Sequence, residues 1–293
     1  MEYVIHFSDL HLSVEAPPPR KLLGRRALGF LRWKLSRGRK HSLEPLMALQ
    51  KWLAAAQVSQ VVITGDLVHL GLPEEFSLAK DFLERLGPPE KIFLVPGNHD
   101  FYVPEPFEKT FAKWSPYLHL DESRDYPTVL KKEHYALIGL DTTCPNVPPF
   151  AMGELGDKQL ARLKDVLKTL REAGLVRILA LHHPPLPGMI STLKALKETT
   201  ELAELLREEG LEIVLFGHTH KIIRGYYETR LGKSLFLGAP SLTYVGNDPL
   251  RKSRFFRIGF DNKENSLNIN LETYVFRGGA FERESRDNIE LAK

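Results

Sequence analysis

Five short polar motifs, each standing directly behind a short apolar run, constrain this 293-residue chain more than anything else in it. In order they are Asp9-Leu10-His11, Gly65-Asp66, Gly97-Asn98-His99-Asp100, His182-His183-Pro184 and Gly217-His218-Thr219-His220. The runs before them, residues 3–7, 61–64, 92–95, 177–181 and 212–216, are rich in Val, Ile, Leu and Phe. They are too short for helices and read as strands buried on both faces. Residues 135–140 fit a further strand. Residues 42–56, 73–86, 156–171 and 199–209 carry apolar side chains at helical spacing, with Pro45 and Pro73 near two starts and Gly87, Gly174 and Gly210 after ends. This alternation predicts an α/β architecture. Ligands of open α/β sheets collect beyond the carboxyl ends of the strands, so five motifs at five such ends should converge on one site.

The last third changes character. Residues 222–227, 234–237, 254–260 and 267–276 have little helix between them and predict a second, more antiparallel sheet packed on the first. No linker or repeat interrupts the chain. One domain is expected over residues 1–276, carrying an insert at 17–41, with a polar tail at 277–293 that frays.

The motif chemistry is that of a metal site. Asp9 and His11 are two apart in a segment read as extended, which points them the same way, and His218 and His220 repeat that spacing. Asp, Asn and His together suit Mn, Fe or Zn more than Ca.

In this order the motifs resemble those of the calcineurin-like metallophosphoesterases, D-x-H, G-D, G-N-H-[DE], H and G-H-x-H, over about residues 3–240. The resemblance implies a four-layer αββα sandwich, two mixed sheets flanked by helices, and a dinuclear centre that hydrolyses phosphate esters. It implies Asp9, His11, Asp66 and His220 around the first ion, and Asp66, Asn98, His182 and His218 around the second. The expected ions are two Mn²⁺, with Fe, Zn or Mg as alternatives. Their charge outweighs that of Asp9 and Asp66 and so favours an anionic phosphate. By the same resemblance His99 is not a ligand. It is the candidate for protonating the leaving oxygen, with Asp100 orienting its imidazole. His183 either touches substrate or packs beneath Pro184 and Pro185, and Lys194 and Lys197 either bind a diphosphate or form a wet helix face. His69 takes the place of a ligating tyrosine in purple acid phosphatases and is expected to be structural. His6, His41, His119 and His134 are expected to be ordinary core or surface residues, and Asp141 a turn residue. The arginine of the protein Ser/Thr phosphatase motif is absent from Gly65-Asp66-Leu67-Val68-His69. A metal-free scaffold of the same fold is the non-enzyme alternative, although all seven ligand positions are filled.

Charge bears on the substrate. Between Glu15 and Glu44 there are nine Lys or Arg and no acid, and subtracting these from the net charge of +3 leaves −6 for the remainder. Leu23, Ala27, Phe30, Leu31 and Leu35 lie at helical spacing there, with Arg25, Arg26, Arg32 and Lys34 interleaved and Trp33 beside them. Following the first motif directly, the insert should overhang the site. Its composition suits a helix on an anionic membrane or lipid substrate, a nucleic-acid backbone, or an arm packed on the body. Lack of an aromatic stacking platform argues against nucleic acid. Residues 21–41 are similar to bacterial enzymes of the chlamydial UDP-2,3-diacylglucosamine pyrophosphatase type, which act in lipid A synthesis. A soluble cyclic-nucleotide or glycerophosphodiester phosphodiesterase is the alternative. A lone Cys144, no long apolar run and no signal-peptide layout at the start predict a reducing cytoplasm, with attachment to the inner membrane face through the insert.

Overall fold

A computed structural model describes residues 2–147, 149–262 and 266–292. Two six-stranded mixed sheets face each other. The first runs β12-β11-β10-β1-β2-β3 and the second β4-β5-β6-β7-β9-β8. In the first, β1 (Glu2–Phe7), β2 (Gln60–Thr64) and β3 (Ile92–Val95) are parallel, and β10 (Arg254–Asn262), β11 (Ser266–Arg277) and β12 (Ala280–Ala292) extend it antiparallel. In the second, β5 (Tyr135–Gly139), β6 (Val176–Ala180), β7 (Ile213–Phe216) and β9 (Gly232–Gly238) are parallel, with β4 (Thr128–Lys131) and β8 (Ile223–Thr229) antiparallel at the edges.

Alternation along each strand sorts side chains into layers. Val4 and Val62 enter the space between the sheets with Leu137, Ile178 and Leu215. Their neighbours Ile5 and Ile63 face outward and are covered by Leu46 and Leu49 of α2 (Glu44–Ala55) and by Phe76 and Leu83 of α3 (Pro73–Leu86). On the far side Ile138 and Leu179 are covered by Leu163 and Leu167 of α5 (Gly156–Glu172) and by Leu202 and Leu206 of α6 (Thr199–Glu209). The order is therefore helix, sheet, sheet, helix, as expected. Each such fully buried side chain contributes about 1.5–3 kcal/mol. A short α4 (Ser115–Leu118) packs near β3.

Two expectations fail. The last third does not form its own sheet: β8 and β9 complete the second sheet and β10–β12 complete the first. Nor does the tail at 277–293 fray, since β12 pairs with β11 along its length; only its last residue, Lys293, lies outside the described residues. Few apolar side chains mark this strand, and a bulge opposite Thr273/Tyr274 shifts its alternation. Phe281 therefore joins the outer cluster, whereas Ile289 and Leu291 join the core between the sheets. Arg254 grips Glu284 at 2.6 Å on the way.

The insert forms α1 (Arg25–Arg32) and a following π turn, Trp33–Arg37. One face packs on the body, as the arm reading expected. Arg26, expected on a wet basic face, is buried and donates to the carbonyls of Leu70 (3.1 Å) and Gly71 (2.7 Å) and to Glu105 (2.9 Å). Gly29 lies so close to Tyr102 that a Cβ there would stand 2.7 Å from its hydroxyl. The outer face carries Leu23, Leu28, Leu31 and Leu35, all more than half exposed. The side chains of Arg37 and Arg39, members of the same basic run, lie outside the described residues.

Candidate metal centre

The five motifs meet where the carboxyl ends of both sheets come together. Asp9 and His11 follow β1, Asp66 follows β2, Asn98 and His99 follow β3, His182 follows β6, and His218 and His220 follow β7. The loops are cross-linked by main-chain bonds, with the amides of Asp9 and His11 donating to the carbonyls of Gly65 and Asp66. Asp9, His11, Asp66, His218 and His220 all have left-handed backbone, φ between 49° and 65°. Among the described residues only two other non-glycine residues, His119 and Arg124, share it. Such conformations are costly for L-residues and persist where surrounding structure imposes them. The expected cause of the parallel aim of Asp9 and His11 is thus replaced: two left-handed turns, not strand alternation, direct both inward while Leu10 is buried in the core. The glycines serve close approach. A Cβ on Gly97 would lie 2.4 Å from Asp66 Oδ1, and one on Gly217 would lie 2.6 Å from Asp9 Oδ2.

The side chains form two groups that share Asp66. In the first, single ligand atoms of Asp9, His11, Asp66 and His220 lie within 4.8 Å of one another. His220 Nε2 is 3.1 Å from both His11 Nε2 and Asp9 Oδ1. In the second, His182 Nε2 lies 3.4 Å from Asp66 Oδ2, 3.2 Å from Asn98 Oδ1 and 3.2 Å from His218 Nδ1. Donor atoms about 2.1 Å from a shared ion stand roughly 3 Å apart, so both groups have the spacing of coordination shells.

Proton placement supports this fit. His182 Nδ1 donates to the Thr64 carbonyl at 2.7 Å, which leaves Nε2 of the neutral ring as a lone pair facing the Asn98 oxygen and the Asp66 carboxylate. Lone pairs converging in a dry site require a cation between them. Burial disfavours charge on His182, but the adjacent Asp66 carboxylate outweighs it and lifts the imidazole to about 9, so Nε2 carries either a proton or the divalent ion that displaces it. Burial likewise works against ionised Asp9, but His220 and His11 hold it well below the usual carboxylate range. The donor set therefore suits divalent ions.

His99 stands at the edge of this centre. Its amide donates to Asp66 Oδ1 at 2.7 Å and its Nδ1 to the His69 carbonyl at 2.6 Å. Asp100 does not orient this ring, contrary to expectation. Its carboxylate instead accepts from the amides of Asp66 (2.9 Å), Gly97 (2.8 Å) and Val68 (3.1 Å), tying the β2 and β3 loops together. Burial and the charge of Asp66 push Asp100 upward, and these amides oppose them. His183 also departs from a substrate role. It is fully buried, with Nδ1 against Thr142 Oγ1 (2.8 Å) and Nε2 against the Ala151 carbonyl (3.3 Å), beneath Gly153. Lys197 is held on the surface by Glu154 at 2.6 Å, whereas Lys194 lines the cleft. Asp141 closes a turn by accepting from the Thr143 amide.

The centre floors a cleft of about 820 Å³. Arg25, Arg32 and Lys40 of the insert line it, so the insert does overhang the site. Tyr102, Tyr244 and Arg251 line it as well and were not singled out in the sequence, and so does His41, which was expected to be an ordinary core or surface residue. The insert's charge and the candidate Lys194 were the sequence signals for this wall. His69, expected to be structural, stands between Trp33 (ring centres 4.4 Å apart) and His99 (5.4 Å).

The family profile described as calcineurin-like phosphoesterase matches residues 3–222, a span that contains all seven side chains. The chain belongs to the calcineurin-like phosphoesterase family, whose members imply a centre of two divalent ions. A probable cyclic nucleotide phosphodiesterase of Rhodococcus erythropolis is 30% identical over 173 residues, 57% of this chain and 53% of that protein. A probable glycerophosphodiester phosphodiesterase, GpdQ, of Arcobacter nitrofigilis is 27% identical over 55% of this chain and 56% of that protein. The matches thus span about half the length of these curated relatives. In fold the chain is similar to a dimetal phosphatase of Danio rerio, with TM-score 0.61, 14% identity, and coverage of 99% of this chain and 98% of that one. A purple acid phosphatase of yellow lupin gives TM-score 0.59 at 11% identity, covering 99% of this chain and 53% of that one.

Proposed function

We propose that this chain is a dinuclear-metal hydrolase of a phosphodiester or pyrophosphate bond. Asp9, His11, Asp66 and His220 hold one ion, and Asp66, Asn98, His182 and His218 the other. Mn²⁺ is the proposed occupant, because the mixed carboxylate, amide and imidazole set suits a borderline ion. The observation that carries the reading is the pair of lone-pair clusters sharing Asp66. Bound ions would supply Lewis-acid charge and lower the pKa of water at the phosphorus.

The protein's own groups do the rest. Cations on the cleft wall draw in the anionic substrate. The His69 carbonyl fixes the proton of His99 on Nδ1, so that Nε2, when protonated, delivers a proton to the leaving oxygen as water adds and the P–O bond breaks. Asp100 keeps the two loops that carry Asp66 and Asn98 in register.

The test is hydrolysis of bis-p-nitrophenyl phosphate with Mn²⁺, together with metal analysis. About two ions per chain and turnover that vanishes in Asp66→Ala are expected. Full activity of that variant, or a metal-free protein that turns over equally well, sinks the proposal.

The relatives' names favour soluble cyclic nucleotides or glycerophosphodiesters as substrates. The exposed Leu23, Leu28, Leu31 and Leu35 beside cleft-lining Arg25 and Arg32 favour a second reading. In it the insert rests on an anionic membrane, on the cytoplasmic face, and the substrate is amphiphilic, such as UDP-2,3-diacylglucosamine. Among the described residues no helix is long and apolar enough to cross a membrane. Flotation with anionic liposomes decides this reading: co-flotation lost in Leu31→Ser/Leu35→Ser supports it, and no flotation of the wild type ends it.

A further inference from the structure

We infer that Arg25 binds a second anionic group of the substrate, so that this site selects diphosphate diesters over substrates with a single phosphate. The inference rests on the phosphoesterase reading and deepens it.

Arg25 opens α1 and lines the cleft. Its guanidinium carbon sits 4.1 Å from the centre of the Tyr102 ring, and its Nη1 donates to the Asn146 carbonyl at 2.8 Å. The Tyr102 hydroxyl in turn donates to the Arg25 carbonyl at 3.3 Å. Both ends of the residue are thus positioned before any ligand arrives, which removes much of the ordering cost of binding. A guanidinium carries five N–H donors. The Nε–H of Arg25 is buried with no hydrogen-bond partner, so the donors this cleft-lining residue can offer a ligand are those of its terminal nitrogens.

Position gives these donors a purpose. The Tyr102 ring stacks on His99 with centres 5.1 Å apart, so a single aromatic ring separates Arg25 from the proposed proton donor. Arg25 and the centre line the same cleft, so a substrate whose second phosphate extends past His99 and Tyr102 would bring it toward Arg25, and a planar guanidinium matches phosphate oxygens in pairs. The surrounding wall has the same sign. Arg32, Lys40, Lys194 and Arg251 share the cleft with one wall carboxylate, Asp248, which lies 3.3 Å from Arg251. A cyclic nucleotide or a simple phosphodiester carries its charge at the scissile phosphate alone, whereas a diphosphate diester carries a second charge outward to this wall.

The probe is a pair of substrates for the Mn²⁺-loaded full chain: bis-p-nitrophenyl phosphate, with one phosphate, and UDP-glucose, with two. A vesicle-embedded lipid-linked diphosphate forms a parallel arm, which separates a lipid source from a soluble one. Arg25→Gln should lower the ratio of kcat/KM for the diphosphate to that for bis-p-nitrophenyl phosphate about tenfold or more in at least one arm, mainly through KM. Arg25→Lys should recover part of it. Arg26→Gln, which loosens the same helix without lining the cleft, should lower both substrates together and leave the ratio near wild type. If Arg25→Gln moves the ratio no further than Arg26→Gln in both arms, or if the wild type cleaves only the monophosphate probe, the inference is overturned while the phosphoesterase reading stands. Absence of turnover of every probe by the metal-loaded wild type fails both.

Discussion

His99 and His69 are coupled through the main chain: the Nδ1 of His99 lies 2.6 Å from the carbonyl oxygen of His69. This fixes the tautomer of the ring and leaves Nε2 as its only exchangeable position. His99→Ala should cost about 10²–10⁴-fold in kcat for an alkyl leaving group, which needs a proton, and much less for p-nitrophenolate, which leaves unaided. Equal losses in a leaving-group series would remove the acid role.

Asp66 should also control stability. Ions that bind only the folded chain stabilise it, by about 2.7 kcal/mol at a free concentration a hundredfold above Kd, which corresponds to a rise of roughly 5 °C or more in Tm. Mn²⁺ added to chelator-treated protein should raise the melting temperature, and Asp66→Ala should abolish the rise. The same increment in that variant would show that the ions bind elsewhere.

Glu75 predicts a pH dependence. Burial raises its carboxyl to about 7, although the amides of Leu72 and Leu70 and the charge of Arg26 oppose this. The folded chain then holds the proton more tightly than the unfolded chain, so stability falls as pH rises from about 4.5 to about 7. Glu75→Gln keeps an acceptor for the two amides and has no proton to lose. It should match the wild type near pH 4.5 and exceed it by up to about 3 kcal/mol above pH 7. Urea melts at the two pH values measure the difference, and a gap that does not widen with pH would refute the assignment.

Trp33 offers an optical report on the cleft. Its ring lies 4.4 Å from that of His69 and 5.2 Å from that of His41. Trp52 and Trp114 pack instead against Phe255 and Phe76. Loading with Mn²⁺, a quencher, should dim tryptophan emission, and Trp33→Phe should remove most of that change. Quenching that survives the substitution would place the ions away from the insert.

The site was legible because each motif is local and each sits at the end of a short buried run. Asp9, His11 and Asp66 could be read without knowing how the loops turn, even though left-handed backbone rather than strand alternation aims the first two. Asp100 was misread because its partners are amides of residues 66, 68 and 97, and a side chain's preference for backbone leaves no mark in a motif. His183 was open for a similar reason, since Thr142 and the Ala151 carbonyl reach it only through folding. In the fold, β1 to β3 declared themselves by short apolar runs, interrupted within β1 by His6, whereas β12 was hidden by its charges and its bulge. The insert showed two faces in sequence, but only packing of Gly29 and Arg26 decides which one turns inward.

The proposed ligands come from both sheets, Asp9, Asp66 and Asn98 from the ends of one and His182, His218 and His220 from the ends of the other. Paired cations would therefore act as a clasp across the seam of the sandwich. Opening fluctuations of the two halves become a single correlated event once the clasp is closed, and the interior amides on either side of the seam gain protection from hydrogen exchange in step.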